Sequence, residues 1–168
     1  SNNHVIIFRS LDEKGNVLPE FEKLLDIDVK GEAEKALGKK LEQNLLSITC
    51  DFDGNLWFVT GGFRIYPDRK QAGMAGYISQ NAIQAMLSGK DADLEKEMHF
   101  YELEPGEGAE NGIASSEEGT VILTNLACYL FRAGDGVQMA WRTEYDSSGA
   151  KDSREDAQTT GGGLAWGG

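Results

Sequence analysis

The groups with which this 168-residue chain could do chemistry are two histidines, His4 and His99, two cysteines, Cys50 and Cys128, and a surplus of carboxylates, 28 Asp and Glu against 16 Lys and Arg. Neither histidine has a second His or a Cys at zinc-ligand spacing. Both sit among aliphatic and aromatic neighbours, so each is expected as a packed or surface side chain. The cysteines lie in strand-like segments far apart in the chain and are expected as buried thiols, with a disulfide or a reactive thiol as the alternatives. No G-x-S-x-G turn, no Walker loop and no G-x-G-x-x-G ahead of a helix is present. Asp51-Phe52-Asp53-Gly54-Asn55 begins like an EF-hand loop, but its glycine is fourth rather than sixth and no Glu stands twelfth. A turn between two strands is the expectation there. Gly161-Gly162-Gly163 has the glycines of a phosphate cradle without a helix signal behind them, and fits the start of an inner strand where backbones approach closely.

These residues need a scaffold, and composition bounds it. A length of 168 is enough for one domain with a sizeable core and short for two. Glycine is abundant at 21 and proline scarce at 3, which suits tight turns between strands. A net charge of −12 repels phosphate backbones and argues against nucleic acid and anionic membrane as partners. The longest apolar run, Leu56-Trp57-Phe58-Val59, is strand-sized and far short of a bilayer span of roughly 18 residues. No signal peptide is visible after Ser1-Asn2-Asn3. A periplasmic or secreted setting is expected ahead of a cytoplasmic one.

Along the chain, His4-Val5-Ile6-Ile7-Phe8-Arg9 is a β-type run, Asp12-Glu13-Lys14-Gly15-Asn16 a hairpin turn, and residues 21–29 the return strand. Ala33, Ala36, Leu37 and Leu41 fall at helical spacing within a short surface helix over 30–43. Strands follow at 45–51, 56–60 and, after Gly61-Gly62, at 63–66, making a meander. Residues 67–90 break the β rhythm, and Ile78, Ala82, Ile83, Ala85, Met86 and Leu87 form an apolar helical stripe with Ser79 as N-cap and Gly89 as stop. Strand character returns at 98–103, ahead of the turn Glu104-Pro105-Gly106-Glu107-Gly108. Residues 146–160 read as an exposed connection.

The segment after that turn repeats an earlier one. Residues 113–125 lie over 48–60 without gaps, Ile113 standing 65 positions after Ile48 and Gly119 65 after Gly54. The N-terminal hairpin matches the run beginning Ala127-Cys128-Tyr129-Leu130-Phe131-Arg132. Four-stranded meanders recurring at this interval are the signature of β-propeller blades, with one inserted helix. The expected class is therefore all-β, a partial β-propeller of four-stranded antiparallel meanders. Its parts are an outer half-blade over 4–29, a blade over about 44–103 with the inserted helix at about 78–88, a blade over about 111–145, and the start of another at 161–168.

Asp51-Phe52-Asp53-Gly54-Asn55-Leu56-Trp57-Phe58, with Glu110-Asn111-Gly112-Ile113-Ala114, resembles the blade motifs of the SMP-30/gluconolactonase/strictosidine synthase-like six-bladed propellers. That resemblance covers about 44–66 and 108–145, and more weakly 4–29. It implies a channel calcium ion held by carboxylates and an asparagine, with Asn111 at the matching position; Glu110 beside it could supply a carboxylate, although the family pattern does not require one there. On its own residues, Asn111-Gly112 is equally a turn. The family's first-blade Glu and its later Asp, ligand and general base, have no counterpart here, which leaves a lactonase site incomplete. Two functions follow: part of a metal-dependent lactone or ester hydrolase, or a non-catalytic scaffold that binds a small molecule, saccharide or protein. Six blades of roughly 40 residues need about 240, so the chain is expected to be a piece of a larger propeller, with the remainder or a second copy covering its open edges.

Overall fold

The structure, a computed structural model, describes residues 3–62 and 70–142, except for the side chains of Glu110 and Asn111. It is built of antiparallel strands. A hairpin pairs β1 (His4–Leu11) with β2 (Val17–Asp28). Helix α1 (Val29–Leu37) follows and leads into a first meander of β3 (Asn44–Cys50), β4 (Leu56–Gly61), β5 (Met74–Ile78) and β6 (Met98–Glu102). Helices α2 (Gln80–Leu87) and α3 (Leu94–Glu97) lie between β5 and β6. A second meander comprises β7 (Ala109–Ser116), β8 (Gly119–Thr124), β9 (Ala127–Arg132) and β10 (Gly136–Arg142). Among the described residues one parallel bridge, Gly61 to Ala109, joins the two meanders, and the path of paired strands is open.

Alternation along the strands divides the core into two layers. Phe58, Met74, Ile78 and Met98 leave the first meander on one side, where Val5 and Ile27 of the hairpin and the apolar faces of α1 and α2 cover them. On the other side, Trp57, Val59, Ala75 and Tyr77 meet Ile122, Tyr129 and Phe131 of the second meander. This second layer is aromatic. The Trp57 and Phe131 rings are 5.7 Å apart, Tyr101 and Phe131 5.1 Å, and Trp57 is fully buried. Offset and tilted ring pairs of this kind add to plain area burial.

Register shows that the units stack in one sense. Phe58 pairs with Ile48 and Gly76, and Ile122 with Ile113 and Tyr129, so Phe58 and Ile122 hold equivalent places. Both point back towards the preceding unit. Trp57 and Val121 are equivalent in the same way and point forward. The hairpin repeats the outer strands: Val5 opposite Ile27 matches Cys128 opposite Trp141, and Ile7 opposite Leu25 matches Leu130 opposite Met139. Both hairpins even carry a bulge at the same step, after Ile7 and before Met139.

Several expectations are corrected. The repeat interval of 65 holds for β3 and β7 but drops to 64 for β4 and β8, because the second turn is one residue shorter. That one-residue slip decides which face each side chain takes. Helix α1 ends at Leu37, not 43, where Gly38 turns left-handed at φ 67° and closes it. Leu41 is buried all the same. Residues 67–90 contain a strand, β5, and Ile78 ends that strand instead of opening the helix. Fully buried on both faces, β5 shows no alternation to read. Ser79 does cap α2, accepting from the Ala82 N–H at 3.1 Å. Cys50 is exposed, because it ends β3, an edge strand paired only with β4; Cys128 is half-buried, and both thiols are free. The expected strand at 63–66, the connection at 146–160 and the blade start at 161–168 lie outside the described residues.

Candidate functional site

The polar side chains that the fold gathers sit where the inner strands of the two meanders meet. Glu107, in the turn before β7, is fully buried. Its carboxylate accepts from the Thr124 hydroxyl at 2.7 Å, from the Tyr129 hydroxyl at 2.8 Å and from the Glu104 N–H at 3.1 Å. Arg142, 44% exposed at its side chain, approaches it at 3.5 Å and donates to the Tyr129 oxygen at 2.8 Å. Burial, then the neighbouring Glu107, pushes the Tyr129 phenol well above its ordinary range.

The first meander carries the same device in neutral form. Gln43, before β3, stands 64 residues ahead of Glu107, as Thr60 does of Thr124. The Thr60 hydroxyl lies 3.1 Å from the Gln43 carbonyl oxygen and accepts from the Met74 N–H at 2.8 Å. The Thr124 hydroxyl likewise accepts from the Ala127 N–H at 2.9 Å. Each threonine thus ties the end of its unit's second strand to the start of the third. The Gln43 amide donates to the backbone carbonyls of Glu107, at 2.6 Å, and Gln71, at 3.1 Å, linking one unit's lock to the next. Gly73 and Gly108 flank it so closely that a Cβ on either would fall within 2.5 Å of the amide.

Glu110 and Asn111, the sequence's candidates for a metal, lie on β7 beside this node. They fill a two-residue bulge between the Ala109–Thr124 and Gly112–Leu123 pairs, where β3 has a one-residue irregularity at Leu46. Their side chains are outside the described set. Calcium takes six to eight oxygens. Among the described residues no three of His, Cys, Asp and Glu are grouped to hold a metal, and the nearby Glu107 oxygens are already committed. Glu107, Gln43, Thr60, Thr124, Tyr129 and Arg142 were not legible as a set, although the recurrence of a Gln/Glu and a Thr at one interval is a signal that could have revealed them.

At the opposite end of the strands a cleft of about 380 Å³ lies between the turns, lined by Asp51, Asp53, Glu117, Arg132 and Asp135 among others. Asp51 is a structural residue there. Its carboxylate accepts from the N–H groups of Asp53 and Asn55, from the Asn55 amide and from the Trp57 indole at 2.8 Å. Asp12 does the same for its hairpin, accepting from Lys14 and Asn16, so D-x-x-G-N is a self-satisfying turn here and not a cation loop. Of the histidines, the part-exposed His4 bonds Asp26 at 2.6 Å, and His99 is an exposed residue whose ring stacks on Tyr77 at 4.6 Å. No described helix is long and apolar enough to cross a membrane. Comparison with protein-family models, with characterised proteins and with solved structures gives no match.

Proposed function

We propose that the chain is a run of propeller blades of the SMP-30/gluconolactonase/strictosidine synthase-like kind that serves as a non-catalytic scaffold, presenting its inner strands to a small molecule, saccharide or protein. The observation that carries this reading is the repeated lock. Gln43 with Thr60, and Glu107 with Thr124, use their polar groups on each other and on nearby backbone, the Gln43 amide reaching the Glu107 carbonyl and the Glu107 carboxylate the Glu104 N–H. A carboxylate whose lone pairs are filled by buried donors anchors a fold; it is not free to take a proton from a substrate. Same-sense stacking of the described units supports the reading of successive blades.

A second reading, a calcium-dependent lactone hydrolase in a larger ring, has one observation in its favour. The bulge at Glu110 and Asn111 is a residue longer than its counterpart, and bulges re-aim side chains beside functional sites. Calorimetry with calcium, together with a panel of lactones, separates the two. The scaffold reading expects no heat of binding and no turnover, alike in wild type and Asn111→Ala. Calcium-dependent turnover that Asn111→Ala abolishes overturns it.

A further inference from the structure

Among the described residues, each unit's forward face is covered by the back face of the next, except that of the second meander. Val5 and Ile7 of the hairpin are covered by the first meander, and Ala75 and Tyr77 of the first meander by the second. Their equivalents in the second meander are Cys128 and Leu130, with Trp141 in the place of Tyr101 and Met139 in the place of His99. No described element packs on that face, where Trp141 is 55% exposed and Met139 49%.

The occupant is indicated by what lies at the other end. Tyr129 and Phe131 are the side chains that the second meander presses into the forward face before it. By register, Ile6 and Phe8 of the hairpin stand in their places. Yet Ile6 and Phe8 point away from the rest of the molecule, 42% and 49% exposed, and Phe21 on the neighbouring strand is 63% exposed. One end is thus a socket, the other the matching insert. Apolar faces of this kind mark association sites.

Resting on the stacked-blade reading, we infer that a second copy of this chain docks head-to-tail, with the β1–β2 hairpin of one copy laid on the β9–β10 face of the other through Ile6 and Phe8 against Leu130 and Trp141. The contact is heterologous: the two surfaces differ, and an open assembly keeps one of each free until a ring closes.

Sedimentation or light scattering tests this directly. Wild type is expected to run at twice the 18.3 kDa chain mass or more. Phe8→Asp and Trp141→Glu, each at an exposed site, should weaken association at least ~100-fold. An equimolar mixture of the two should restore a heterodimer, since the Phe8→Asp chain keeps its forward face and the Trp141→Glu chain its hairpin. A monomeric wild type at about 100 μM, undiminished association in either variant, or a mixture that stays monomeric overturns the second copy. Trp57 emission, read in a chain whose Trp141 and Trp166 are replaced by Phe, reports the stack separately. A monomer with a blue-shifted, buried Trp57 overturns only the docking, whereas a solvent-exposed Trp57 overturns the stacked units as well.

Discussion

At the scale of single residues, the exchange of an amide for a carboxylate shows how the two units diverged around a shared lock. Gln43 brings its own donors, and these reach the carbonyls of Glu107 and Gln71. Glu107 brings none, and a buried carboxylate without donors costs several kcal/mol. The second unit supplies them: Tyr129 stands where the first has Gly76, and Arg142 where it has Glu102. Each threonine hydroxyl is the pivot, and Thr→Val removes it at nearly constant volume. We predict that Thr124→Val and Thr60→Val each cost about 1–3 kcal/mol in urea unfolding, the price of a buried group left unpaired. Thr124→Val should be the larger loss, because it deprives a carboxylate as well as the Ala127 N–H, whereas Thr60→Val deprives an amide oxygen and the Met74 N–H. An equal or reversed order sinks the equivalence of the locks. None of this was legible beforehand, since a glutamate following Pro105-Gly106 reads as an exposed turn residue.

At the scale of elements, local chemistry was the legible part. The loops at Asp12 and Asp51 announce themselves because D-x-x-G-N satisfies its own polar groups, and the Ser79 cap is likewise written in neighbouring residues. Faces were not legible, because a one-residue difference in turn length shifted the repeat interval, and β5 offers no alternation. The junction of the two meanders depends on a close approach that only the structure displays. Gly61 pairs with Ala109, and a Cβ at Gly61 would lie 1.7 Å from the Ala109 carbonyl oxygen. Backbone cannot yield as a flexible side chain does, so Gly61→Ala must push the meanders apart. A loss of at least ~3 kcal/mol is expected, beyond ordinary overpacking, together with a red shift of Trp57 emission as water reaches the aromatic layer. A stable variant with an unshifted spectrum would show that the bridge does not hold the units together.

At the scale of the whole molecule, stability should depend on pH through groups that the fold titrates in opposite directions. Burial raises the phenols of Tyr77, Tyr101 and Tyr129, all lining the aromatic layer or its polar edge. Unfolded tyrosines release their protons near pH 10, while the folded chain still holds them. Above that point the unfolded state binds fewer protons, so the stabilisation, complete below about pH 10, is lost as pH rises further. On the acid side the carboxylates run the other way. A hydrogen bond from His4, then one from Lys23, holds Asp26 below its ordinary range, and the Asn16 amide does so for Asp12. Their contribution is present above about pH 4 and fades as pH falls through the lowered values, but both sites are exposed and the effect should be slight. The measurable limb is therefore alkaline. Urea midpoints should stay level from about pH 6 to 9 and fall between about pH 10 and 12. Rising net negative charge would also lower them, and Tyr129→Phe separates the two causes. That variant starts less stable, having taken a donor from Glu107, yet its midpoint should decline less steeply, because one withheld proton is gone. An alkaline slope identical to wild type would assign the loss to charge repulsion and remove Tyr129 from the account.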